Sequence, residues 1–340
     1  MRALFTAGIL DVMMEEGVTF DGMVGVSAGA TFGCNFKSRQ PGRSLRYNLR
    51  FIGDSRYMGW RTLLKDGNLV SAEFSYHIMP TQLDVFDAET FAANPMEFYI
   101  VCTDVFTGKP VYKLLDKADY DGMEWLRASA SMPIVSTPVQ VDGRTLLDGG
   151  IADSIPLRFL QEKGYGRNIV ILTQPKGFKK KRTKLMPAFH LFTRRYPAIV
   201  RAMSRRHIMY NEQLDYLEQQ EREGNILLIY PPEPLPIGRT EQNEKKMRHI
   251  YALGREMGVR RLEEIKAFLA EVKNENKWKR TQICAKSLGW GRPSLTYFSR
   301  TGSPLRPCPE VAVLMPSSAR EEWAYPAISS AVLEPTRWGR

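Results

Sequence analysis

The sequence predicts an α/β domain whose sheet is covered by helices on both faces. Short, continuously apolar stretches such as "EFYIVCTD" (97–104), "NIVILTQP" (168–175) and "NILLIYPP" (225–232) alternate with longer segments of helical period. Strands that are apolar on both sides must be buried on both sides, which requires helices above and below. Composition agrees: in 340 residues, 43% are hydrophobic and 25% charged, the balance of a globular chain. No run reaches the roughly 18 uninterrupted apolar residues that span a bilayer.

Each element has its own signal. Residues 3–16 read as a helix ended by Gly17; Asp11, Glu15 and Glu16 interrupt its apolar side, so it is not a signal peptide. "MVGVS" (23–27) reads as a short buried strand, and Ala28–Phe36 continues as helix. Residues 97–104 and "KPVYKLL" (109–115) read as strands about a turn at Thr107-Gly108, and "TLLDGG" (145–150) as a strand ending in a glycine turn. From Trp278 to Arg340 the chain holds seven prolines, four of its six tryptophans and no sustained period. That stretch reads as an irregular, poorly ordered tail outside the domain. Cys34, Cys102, Cys284 and Cys308 show neither metal-ligand nor paired spacing, which fits a reducing, cytoplasmic compartment.

The net charge of +11 is concentrated: between Lys176 and His207 there are eleven Lys and Arg and no acidic residue. In the second half of that stretch Phe192, Tyr196, Ile199 and Met203 share one helical face, with Arg194, Arg201 and Arg205 roughly opposite. Two readings fit. One is a basic surface that faces an anionic membrane, placing the protein peripherally on the inner membrane surface; the other is a solvated helix whose apolar side packs on the core. No nucleic-acid recognition motif accompanies the charge.

"VGVSAGA" (24–30) places Ser27 between Gly25 and Gly29, at the passage from an apolar strand into a helix. This is the setting of a nucleophile elbow: the two glycines let backbone elements approach closely, and the turn lifts the hydroxyl out at the sheet edge. The helix that starts at Ala28 adds partial positive charge beside a developing oxyanion. His77, His190, His207 and His249 all fall in helical or basic segments, none at a strand end beside a small-residue turn. Asp148 does sit at such a place, followed by Gly149 and Gly150. A carboxylate presented there acts on a serine hydroxyl best when partial desolvation raises its proton affinity.

"AGILDVMMEEG", "GVSAGA", "TDVFTGKPVY", "RASASMPIVSTPV" and "LDGGIADSIP" occur in the order and approximate spacing of the patatin-like phospholipases, and the chain resembles that family, its bacterial members above all, to about residue 275. The resemblance implies a three-layer α/β/α fold with a mainly parallel central sheet. It implies a dyad of Ser27 as nucleophile and Asp148 as base, and hydrolysis of phospholipid or other acyl-ester substrates without metal or organic cofactor. Ser129, Ser131 and Pro133 form a small-residue segment that fits equally an acyl path beside the dyad or a tight helix end. Family members open with an apolar strand and a G-G-G-x-R-G loop that supplies the oxyanion hole. This chain opens Met1-Arg2-Ala3, with Arg2 alone matching the end of that motif. The expected organisation is therefore a hydrolase domain over 1–277 without that strand and loop, followed by the tail at 278–340. Three functions remain open: an acyl-ester hydrolase whose strand and loop lie upstream of Met1, a catalytically silent lipid-binding or scaffold protein, and a protease or thioesterase that uses the same dyad.

Overall fold

The computed structural model describes the backbone of residues 1–287 apart from Arg239, and side chains through residue 270 apart from those of Phe192 and Arg239. Helices are α1 (Leu4–Glu15), α2 (Ala28–Lys37), α3 (Arg43–Arg50), α4 (Trp60–Asp66), α5 (Ala88–Ala93), α6 (Tyr120–Ala130), α7 (Leu157–Glu162), α8 (Met186–Phe192), α9 (Pro197–Arg222) and α10 (Glu244–Ser287). A π-helical segment, Phe74–Leu83, joins α4 to α5. Strands are β1 (Gly22–Val26), β2 (Glu97–Asp104), β3 (Pro110–Leu114), β4 (Val139–Val141), β5 (Arg144–Asp148), β6 (Asn168–Ile171) and β7 (Ile226–Ile229). Two compact units divide at Leu269/Ala270; the helix bounds carry α10 ten residues past the expected domain end at 277, and residues 288–340 of the expected tail lie outside the described residues.

The sheet is mixed. β2 is its spine: β3 pairs antiparallel along residues 99–103, while β1 pairs parallel along residues 97–101 and β5 antiparallel along residues 102–104. Residues 99–101 thus face β3 and β1, and Cys102 and Thr103 face β3 and β5, so β1 and β5 must share one edge of β2. With β4 antiparallel to β5, strands β1, β2 and β4 run in one direction; β6 and β7 form a parallel pair of their own.

Alternation of side chains across the strands produces the layers. Leu146 joins the main core with α1, α2 and α6, whereas Leu147, its neighbour on β5, packs with Ile151, Phe189, Ile199 and Met203 on the other face. β7 divides likewise, Leu227 and Ile229 into the main core and Ile226 and Leu228 against Leu157 and Leu217. An α/β sheet with helices on both faces is what the apolar strands require, and the α/β/α class follows. β4 has no counterpart in the strands expected from sequence. Its signal is the Asp142-Gly143 pair, where both residues take positive φ (+49° and +70°), a two-residue hairpin turn.

Helix α10 lies on α1 with almost no space between backbones. A Cβ on Gly254 would stand 2.1 Å from the Phe5 carbonyl oxygen, and one on Gly8 2.3 Å from the Tyr251 carbonyl oxygen. Around that crossing Tyr251 donates to buried Asp11 at 2.6 Å and Arg255 makes a bidentate pair with Glu15. Gly254→Leu is therefore expected to cost about 3 kcal/mol, seen as a clear drop in Tm. An unchanged melt would show that α10 does not pack there.

Candidate active site

The register of β2 explains why residues 121 positions apart meet. β1 ends where Val26 pairs with Val101, and β5, coming from the opposite direction along the same edge, ends where Asp148 pairs with Cys102. The residue after β1 is Ser27 and the last of β5 is Asp148, so the two strand ends converge head-on at one peptide of β2. There Ser27 Oγ donates a hydrogen bond to Asp148 Oδ2 at 2.5 Å.

Ser27 holds φ +55° and ψ −125°, a strained conformation for a residue with a side chain. Its surroundings maintain it. The Ser27 N–H donates to Ser129 Oγ at 3.0 Å, Ser129 Oγ donates to the Val101 carbonyl at 2.7 Å, and the Ser27 carbonyl accepts from the N–H groups of Ala30 and Thr31. Gly25 is required by the fold-back, because a Cβ there would stand 2.5 Å from the Ala30 Cα. Gly29 is different: apart from its chain neighbours and the backbone of its own helix, no heavy atom lies within 4 Å of where its Cβ would be. The close approach is thus made at Gly25, against the backbone of Gly29 and Ala30. The Ala28 and Gly29 N–H groups stand in the first turn of α2, where no intrahelical acceptor reaches them.

Asp148 is 1% exposed. While Oδ2 faces Ser27, Oδ1 accepts from the Gly150 N–H at 2.8 Å, and Thr103 donates to the Asp148 carbonyl at 2.8 Å. Gly149 has no room for a side chain, since its Cβ would lie 2.1 Å from the Val101 carbonyl oxygen. On the far side Arg206 of α9 donates from Nε to the Gly150 carbonyl at 2.5 Å. Burial pushes the Tyr210 phenol up, and the positive charges of Arg2 and Arg206 oppose that shift.

Other expected residues are placed differently. Ser129 is fully buried with its hydroxyl committed to Ser27 and Val101, and buried Ser131 donates from its hydroxyl to the Arg127 carbonyl while its own carbonyl accepts from the Asp148 N–H at 2.8 Å. Pro133 is buried beside them. The apolar side of α9 turns inward, with Ile199 at 0% and Met203 at 5% exposure, whereas Arg194, Arg201 and Arg205 are exposed; the side chain of Phe192 lies outside the described residues. His77 pairs with Glu124 at 2.8 Å and stacks on Tyr120, and His190 and His249 are exposed. Arg206 was visible in the sequence only as one of eleven positive charges, and nothing local distinguished it from Arg205 beside it.

Comparison with known proteins bears on this geometry. Residues 1–160 match the patatin-like phospholipase family, and residues 196–270 match a domain of unknown function, DUF6363. The chain is 27% identical over 265 residues to the uncharacterized protein YjjU of Escherichia coli, covering 76% of this chain and 73% of that one. It is 29% identical over 154 residues to an uncharacterized NTE family protein of Mycobacterium tuberculosis, 44% of this chain and 40% of the relative's length. A relative of the same description in Mycobacterium bovis matches equally. Residues 1–160 are thus similar to the patatin-like phospholipases, a family of lipid acyl hydrolases.

Proposed function

We propose that the protein is a serine-dependent lipid acyl-ester hydrolase of phospholipase A or lysophospholipase type, with Ser27 and Asp148 as its catalytic dyad. The observation that supports this best is the 2.5 Å bond from a strained, half-buried serine to a buried carboxylate. Asp148 accepts the Ser27 proton as Oγ attacks the ester carbonyl, and the alcohol leaves with that proton. The resulting acyl-serine is cleaved by water, whose proton passes to Asp148 and then to Ser27 as the fatty acid departs. The N–H groups of Ala28 and Gly29 at the positive end of α2 are donors for the oxyanion, and the open space at Gly29 leaves them approachable. The direct test is fatty-acid release from a lysophospholipid by the native chain and by Ser27→Ala. Release by the native chain alone supports hydrolysis; lipid binding without release by either supports a silent lipid-binding protein.

The same reading includes peripheral contact with an anionic membrane from the cytoplasmic side. Arg194, Arg195, Arg201 and Arg205 are exposed, and so are Leu185 (60%), Leu191 (63%) and Ile208 (45%) along α8, α9 and the segment before them. Phe106, 68% exposed, packs edge-on against Tyr196 at the start of α9. Binding to phosphatidylglycerol vesicles should weaken as salt rises, because such attraction is screened beyond about 10 Å at 0.1 M. Replacing Arg194, Arg201 and Arg205 together with Glu should weaken it further. Salt-independent binding, or none, would make these residues an ordinary solvated face.

A further inference from the structure

Helix α9 belongs to the region that matches DUF6363. At intervals of seven residues its side chains grip the chain just after Asp148. Arg206 donates to the Gly150 carbonyl. Gln213 donates to Asp153 Oδ1 at 2.5 Å and accepts from the Ile155 N–H at 3.0 Å. Gln220, buried, accepts from Gln161 at 2.7 Å. Seven residues are close to two helical turns, so these three groups form one row along the helix. Arg206 is also near the carboxylate itself. Its Nη2 and Asp148 Oδ1 each lie 3.1 Å from the point where a Gly150 Cβ would sit, so they are no more than twice that distance apart.

We infer that Arg206 is a positioning residue for the dyad: the DUF6363 region straps the D-G-G turn in place and sets a fixed positive charge beside Asp148. This rests on the dyad reading above. Asp148 is buried, and a buried carboxylate stays ionised only if charge or hydrogen bonds compensate its lost hydration. Cys102 from β2 and Tyr76 from the π-helical segment both feel the charge of Asp148. Burial pushes both above their ordinary range, which keeps them neutral. Arg206 from α9 supplies positive charge on the side of Gly150. A guanidinium also holds the carbonyl at fixed geometry, which places Gly150 N–H and, through it, Asp148 Oδ1.

The test uses the full chain and a fluorophosphonate probe, with the rate of Ser27 labelling followed against pH. Arg206→Gln should slow labelling roughly 10- to 100-fold at neutral pH, as misplacement of a reacting group does. It should also move the acidic limb of the profile upward by about one pH unit, because loss of a nearby positive charge makes the carboxylate harder to ionise. Arg206→Lys should restore the limb while recovering only part of the rate. Arg222→Gln, an exposed change at the far end of α9, should leave the profile as in the native chain. Amide hydrogen exchange over residues 149–155 gives a readout independent of chemistry: Arg206→Gln and Gln213→Ala should each speed exchange there. Native-like exchange and an unmoved limb in Arg206→Gln overturn the inference. Faster exchange with no labelling of the native chain at Ser27 would instead refute the dyad and leave the strap standing.

Discussion

Ser27→Ala and Asp148→Asn are each expected to lower kcat/KM on a chromogenic acyl ester by about 10⁴-fold or more, as removal of one member of a nucleophile–base unit does. The alanine has no attacking oxygen. The asparagine keeps the shape of the aspartate and its bond to the Gly150 N–H only if its amide oxygen takes the Oδ1 place, which turns an NH₂ toward Ser27 Oγ. That amide cannot accept the serine proton. Because one carboxylate serves both half-reactions, the double variant should be no worse than either single one. Replacing each of His77, His190, His207 and His249 should leave at least a tenth of the activity of the folded protein, a barrier change of no more than about 1.4 kcal/mol. A histidine variant as impaired as Asp148→Asn would mean that the base has been misassigned.

Gly149→Ala should damage both stability and rate. Its Cβ would stand 2.1 Å from the Val101 carbonyl oxygen and 2.5 Å from the carbonyl carbon, and both are backbone atoms of a fully buried residue. Relief requires β5 to separate from β2 at the pairing of Asp148 with Cys102. A cost of roughly 3 kcal/mol or more follows from such overpacking, and displacement of Asp148 by about 1 Å would lower kcat/KM about 100-fold in whatever folds. Gly29→Ala is the informative comparison, since open space surrounds that position and Gly29 lies within α2. It should melt no lower than the native chain, because alanine is the better helix former by about 1 kcal/mol. Equal loss of Tm in both variants would contradict the packing described at β2.

Both members of the proposed dyad stand out in the sequence for local reasons. Ser27 lies between glycines at the passage from strand to helix, and Asp148 ends a strand before two glycines; each pattern is contained within a few residues. Their meeting was not legible, because it depends on β1 and β5 sharing one edge of β2, and a pairing register is set between strands rather than within them. The same distinction accounts for the rest. β4 carried a local signal in Asp142-Gly143, a turn that needs positive φ at both residues. Ser129 read equally as lining a path or as part of a tight helix end, and its two hydrogen-bond partners, Ser27 and Val101, lie 102 and 28 residues away in the chain, beyond any local pattern. Arg206 differs from Arg205 by one helical step of about 100°, which places it against the Gly150 carbonyl while Arg205 is exposed. The apolar row of Ile199 and Met203 gave the correct face of α9, but period alone does not say whether that face meets a core or a membrane.

The central claim, that this patatin-like domain reacts through Ser27 with Asp148 as its base, is tested most directly by locating the covalent adduct. After treatment with a fluorophosphonate, peptide mass mapping should find one modification, on Ser27, at a rate reduced about 10⁴-fold in Asp148→Asn. Modification of another serine, or labelling of Ser27 at the same rate with and without the carboxylate, would contradict the account.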